Sequence, residues 1–130
     1  MPLSAAIKET LPAEQNITIA QGATFLESIE ATSAPLVYEN FTGCTATGKI
    51  RATFGGTLIE TFTCTIPVPT NGTIFFQLTP TQTAALTGTF PDTSTRVAVI
   101  GVFDVEITDG TDVVRVLQGT ASLSREVTTP

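Results

Sequence analysis

Histidine and tryptophan are both missing from this sequence. Without histidine the chain lacks the usual general base and the commonest metal ligand. Ser-His-acid and Cys-His arrangements are therefore excluded within one chain. Two cysteines, Cys44 and Cys64, are too few for a disulfide scaffold and show no metal-site spacing. Cations are scarce as well: Lys8, Lys49, Arg51, Arg96, Arg115 and Arg125 are scattered among 12 acids, for a net charge of -6. Phosphate binding needs a clustered basic face, so nucleic acid is not an expected partner. No apolar run approaches the roughly 20 residues that cross a bilayer. The opening Met1-Pro2-Leu3-Ser4-Ala5-Ala6-Ile7-Lys8-Glu9 lacks the uninterrupted apolar region of a secretory signal. The expectation is a soluble protein made in a cytoplasm, with no membrane partner.

What the chain does have is extended-strand chemistry. At 130 residues it suits one domain with a core that needs no staples, and 42% hydrophobic against 14% charged residues places it among folded chains. Threonine is abundant, which favours strands over helices. Val97 to Leu123 is the most strongly specified stretch. Val97-Ala98-Val99-Ile100-Gly101-Val102-Phe103 is apolar on both alternating faces and predicts a strand covered on two sides. Asp104-Val105-Glu106-Ile107 then alternates, Asp109-Gly110 supplies a turn, and Val113-Val114-Arg115-Val116-Leu117 returns.

Ahead of that hairpin, Ile17-Thr18-Ile19-Ala20 and Thr24 to Ala31 read as strands around a Gln21-Gly22-Ala23 turn, and Ser33-Ala34-Pro35 breaks the second. From Cys44 to Phe54 the even residues Cys44, Ala46, Gly48, Ile50, Ala52 and Phe54 share one face. After Gly55-Gly56, Leu58, Phe62, Cys64 and Ile66 form the matching inward set. Same-face pairing then predicts a bulged loop with Phe54 opposite Leu58 and Cys64 facing Gly48. Cys44 would lie four residues further on, too far to bond, so both thiols are expected to be reduced and buried. Asn71-Gly72 opens Thr73 to Leu78. Thr79-Pro80-Thr81-Gln82 has the form of a capping box with proline at the first helical position. The pattern predicts an all-β fold: one antiparallel Ig-like β-sandwich of seven or eight strands with one short helical turn. Residues 1–15 would be an extended N-terminal arm, 16–124 the sandwich and 125–130 a C-terminal arm, the arms reaching neighbouring chains rather than the core. Thr10-Leu11-Pro12-Ala13-Glu14-Gln15 could also start a helical turn.

No catalytic, cofactor or metal residue can be nominated. Glu27 with Glu30, and Asp104 with Glu106, are the candidate carboxylate pairs, but among twelve acids such pairs arise readily by chance. Asp104, Glu106, Asp109 and Asp112 crowd a glycine turn where calcium is conceivable, yet the spacing is not that of an EF-hand and a polar hairpin tip needs no ion. Asn16, Asn40 and Asn71, the full set of asparagines, each precede x-Thr as in a glycosylation sequon. Each also sits at a strand start or turn, where asparagine is favoured for its own hydrogen bonding.

The order of features from Ile17 onward resembles a family of small β-sandwich modules of tailed bacteriophages. The resembling stretches are Ile17 to Phe25, Asn40-Phe41-Thr42-Gly43-Cys44, Leu78 to Leu86, Phe103 to Gly110 and Leu117-Gln118-Gly119-Thr120-Ala121. Thr89 to Thr95 is longer than the compact Pro-Gly turn of such modules. The resemblance implies a non-enzymatic virion protein, assembled in the host cytoplasm and homo-oligomeric on the particle. A capsid cement or decoration protein bound to the major capsid protein is the first expectation, because a fibre connector would continue into a shaft. A baseplate or tail-fibre connector is the alternative, and a secreted adhesion or carbohydrate-binding module a third.

Overall fold

A computed structural model of the chain describes residues 3–9, 12–34 and 37–127. In chain order these form α1 (Ala5–Glu9), β1 (Ala13–Glu14), β2 (Ile17–Ala20), β3 (Phe25–Glu30), β4 (Thr32–Ala34), β5 (Val37–Tyr38), β6 (Thr45–Arg51) and β7 (Leu58–Thr65). A 3-10 turn (Pro69–Asn71) leads to β8 (Thr73–Leu78), α2 (Pro80–Ala84), β9 (Val97–Thr108) and β10 (Val113–Ser124). The fold is mostly β, as the composition predicts. One curled eight-stranded sheet runs β1-β10-β9-β6-β7-β8-β3, with β2 also on β10, while β4 and β5 pair separately. Of the expected breaker Ser33-Ala34-Pro35, Ser33 and Ala34 lie within strand β4 instead, and Pro35 lies outside the described residues.

Two features curl the sheet. The first half of β7 pairs with β6, from Leu58 to Phe62, and the second half, Thr63 to Thr65, pairs with β8. The chain also crosses between the two edges at residues 21–24, since β2 lies parallel on β10 whereas β3 lies antiparallel on β8. The enclosed face is apolar by strict alternation. Ile74, Phe76 and Leu78 of β8 and Phe103, Val105 and Ile107 of β9 are all buried. Phe25, Phe62, Phe76 and Phe103 meet at its centre, with ring centroids 5.1 to 6.2 Å apart. Removing one such ring would cost about 3–5 kcal/mol, so this cluster outweighs any single polar contact in the domain.

The central hairpin forms as the sequence predicts, with the Asp109 carboxylate accepting from the backbone N–H of Thr111 (2.8 Å) and Asp112 (2.7 Å) and Gly110 at φ +95°. The expected covering of both faces does not occur. Val97 and Val99 are 46% and 63% exposed, because they pair with Ser124 and Ser122 on the outward side. The capping box at α2 is complete: the Thr79 hydroxyl accepts from Gln82 N–H, and the Gln82 amide oxygen accepts from Thr79 N–H. Thr83 donates from its hydroxyl to the Ala23 carbonyl at 2.8 Å, and Leu86 is buried, so α2 closes the curled sheet near the β2–β3 turn.

The β6–β7 connection departs from expectation. β6 stops at Arg51, which pairs with Leu58, and Gly48 faces Phe62 rather than Cys64. A loop closed by Ala52 N–H to Thr57 O and Gly56 N–H to Thr53 O takes up the residues assigned to the strand. Phe54 is therefore 87% exposed instead of inward, and Leu58 is also exposed. The bulge at Ile50/Arg51 switches the parity, turning Ile59 toward the core in place of Leu58.

The N-terminal segment is not an extended arm where it is described. Leu3 and Ile7 lie one helical turn apart and both enter the core. Ser4 caps α1 by accepting from Ile7 N–H (3.2 Å), and its hydroxyl donates to the buried Glu39 carboxylate (2.9 Å). Leu3 N–H donates to Asp109 (2.9 Å), and β1 adds to β10. Of the helical turn that residues 10–15 could start, Thr10 and Leu11 lie outside the described residues, and Ala13–Glu14 form a strand instead because they pair with Leu117 and Gln118 of β10. At the other end, Arg125 stacks on Phe90, 3.9 Å from its centroid, and donates to the Asp92 and Thr95 carbonyls, holding the 89–95 loop. Residues 128–130 of the expected C-terminal arm are outside the described part.

Gly101 and Gly119 sit on paired strands beside other backbones. A Cβ at Gly101 would stand 2.2 Å from the Arg51 carbonyl oxygen, and one at Gly119 would stand 1.9 Å from that of Gln15. Valine at either position is expected to destabilise the domain by about 1–3 kcal/mol. Urea denaturation of Gly101→Val and Gly119→Val checks this, and an unchanged midpoint in both would contradict the close approach.

Candidate interaction face

Alternation along β6, β9 and β10 places one set of side chains outside the curled sheet. Register aligns them in rows: Lys49, Asp104 and Gln118 form one, and Thr47, Glu106 and Arg115 the next. Glu14 of β1 extends the first row beside Gln118 and accepts a hydrogen bond from its amide. Arg115 reaches across to Asp104 at 3.3 Å and to the Gln118 amide oxygen at 3.2 Å. Both side chains of that ion pair are substantially exposed, so it contributes little to stability and serves mainly to fix the side chains in place. Lys49 and Glu106 form no ion pair among the described residues.

Between these rows and the β6–β7 loop lies a groove of about 290 Å³ with Phe54 on its wall. Arg51 donates to the Gly56 carbonyl (3.0 Å) and braces that loop. Further along the same outward face are Val102, Val99 and Val97, and Leu58 stands opposite Arg51. One end of the face is therefore apolar and the other carries alternating charge. An apolar area rimmed by charged and polar groups is a common feature of surfaces that contact other macromolecules.

The candidate residues named from sequence separate in space. Glu27 pairs opposite Phe76 and Glu30 opposite Thr73, so strand alternation sends the two carboxylates to different sides. Asp104 and Glu106 share the outward face, but Asp104 is held by Arg115. In the acidic cluster, Asp109 accepts from three backbone N–H groups, those of Leu3, Thr111 and Asp112, and Asp112 pairs with Lys8 at 3.3 Å. Among the described residues no three histidine, cysteine, aspartate or glutamate side chains are grouped to hold a metal ion. Nor is any helix among them long and apolar enough to cross a membrane.

Each asparagine of the three sequons has a structural task. Asn16 accepts from Thr120 N–H, Asn40 from the N–H and hydroxyl of Thr42, and Asn71 from Thr73 N–H. In the last two, the residue two positions on is held by an Asx turn, which accounts for asparagine followed by x-Thr. Within this face, Phe54 points outward where the alternation predicts an inward residue. The signal was present in Gly55-Gly56, which starts a loop early enough to leave the preceding aromatic outside the ladder.

Cys44 and Cys64 are not joined in a disulfide, and both are partly buried. Burial pushes the Cys64 thiol up to about 11, and burial followed by the nearby Asp109 charge raises Cys44. Native Cys64 should therefore alkylate roughly a hundredfold more slowly than an ordinary thiol, while the denatured, unreduced chain should take two labels. Intact-mass measurement checks both, and a denatured chain that takes no label would mean the two are bonded.

Hydrogen bonds from Asp112, Leu3 and Thr111 N–H groups hold the Asp109 carboxyl down at about 2, below its usual 3.8. A depressed carboxylate stabilises the fold above its ordinary range and loses that contribution as pH falls through the folded value. Stability should decline between about pH 4 and pH 2. Asp109→Asn should be less stable than the parent at neutral pH and show a flatter decline in that window, as read by urea midpoints. Identical profiles would rule out the carboxylate as the clamp between the hairpin tip and the N-terminal segment.

No family model matches this chain, and no curated protein matches it.

Proposed function

We propose that this protein is a non-enzymatic structural component of a tailed-bacteriophage particle, a capsid cement or decoration protein that stabilises the head lattice against the major capsid protein. The supporting observation is the outward face of β6, β9 and β10, where ordered charge rows adjoin exposed valines and a projecting Phe54. An exposed apolar area rimmed by polar groups is characteristic of protein contact surfaces. The motif order from Ile17 to Ala121 adds the phage context by resemblance, which is an associational argument.

The domain is read as an Ig-like sandwich. Three pairings support this: β2 parallel on the final strand β10, β3 antiparallel on β8, and β6 antiparallel on β9. The open outer edge of β3, which pairs with β8 alone on the sheet path, favours a second reading as a baseplate or tail-fibre connector joined by strand addition.

The test is particle composition. Purified virions of the phage encoding this chain should contain it in a fixed ratio to the major capsid protein, and density for it should lie on the head. Particles lacking it should lose integrity earlier on heating or in low salt. Density on the tail would favour the connector, and absence from virions would overturn both readings.

A further inference from the structure

The outward face carries a projection and a recess side by side. Phe54 rises on the loop around Gly55, where an added Cβ would find nothing within 4 Å, and its side chain is 87% exposed. The recess of about 290 Å³ beside it is lined by outward groups that include Lys49, Asp104, Glu106 and Arg115. A single face holding both knob and hole is self-complementary. A second copy turned about a two-fold axis lying between them places each Phe54 in the other's recess, with both contacts made at once.

We propose that two copies of this chain associate face to face through reciprocal insertion of Phe54 into this groove. The inference deepens the assembly reading by naming the surface and the partner. Electrostatics favours this face for a like partner. With a net charge of -6, two copies repel one another over most approaches, yet here three of the six cations, Lys49, Arg51 and Arg115, stand against Asp104 and Glu106. The face is close to neutral, so repulsion between copies is least where the knob and recess lie. An entering phenyl ring would lie among the Lys49 and Arg115 side chains, whose stems supply apolar contact and whose charges favour its π-face. Val97 and Val99, outward along the same strand, would add apolar contact beyond the knob.

The purified full-length chain is sufficient for the test, so the outcome is independent of any particle. Light scattering or sedimentation equilibrium over a concentration series should show a monomer–dimer equilibrium. Phe54→Ala should raise the dimer dissociation constant roughly tenfold to a hundredfold, the effect of truncating a buried aromatic anchor. Its circular dichroism should remain that of the parent, since the side chain lies outside the core. A full-length variant carrying p-benzoyl-phenylalanine in place of Phe54, mixed as ¹⁴N and ¹⁵N protein and irradiated, should yield mixed-isotope crosslinks to the β6, β9 or β10 segments that line the groove. A chain that stays monomeric up to its solubility limit overturns the proposal, as does a dimer unaffected by Phe54→Ala or crosslinks confined to single-isotope pairs. In each of those cases, recovery of the chain from virions would leave the assembly reading standing.

Discussion

The pairing of β9 with β10 is the constraint on which the remaining structure depends. Each strand has twelve residues, and they are joined along nearly their full length. Both outer edges of the pair are then used, by β6 on β9 and by β1 and β2 on β10. A two-stranded ribbon alone is marginal in water, so these additions and the apolar face they share make the hairpin permanent. The bulges at Arg115/Leu117 and Ala121/Ser122 add local twist, which assists the curl. Gly101 and Gly119 lie within this pair because the Arg51 and Gln15 backbones approach too closely for a side chain.

The two faces of the curled sheet have different tasks. The core enclosed by the inner face is filled by five buried phenylalanines and by β-branched and leucine side chains, and it accounts for the bulk of the stability by burial. The outer face carries the charge rows, the exposed valines and the Phe54 loop, none of which the core requires. The outward residues of these strands are exposed or half-buried, while the inward ones are packed in the core. The N-terminal segment belongs with the inner face: Leu3 and Ile7 are core residues, fastened by Asp109 and Glu39.

Features carried by short-range chemistry were legible from the residues. The Asp109-Gly110 turn, the Thr79/Gln82 capping box and the alternation in β8 and β9 all depend on neighbours within a few positions. The misplacements arose where a distant strand decides. Val97 and Val99 have the composition of a doubly covered strand, but both remain exposed on their outward side. Leu3 and Ile7 are too few to announce a helix, and become one only because a core is there to receive them. The β6–β7 register failed because one bulge shifts parity, and every residue beyond it exchanges faces.

By itself the sequence determined an all-β domain without histidine chemistry, built around a valine-rich hairpin, because strand alternation and turn residues act locally and leave their pattern in the order of residues. It also determined an acidic chain with few cations. Only the tertiary structure decided that three of those cations meet on one face with Asp104 and Glu106, that Phe54 stands beside a groove there, and that the N-terminal segment is part of the core. The physical reason is that the face needs β6 set against β9, whose paired residues lie more than fifty positions apart. Their meeting depends on register and bulges, which no local pattern encodes.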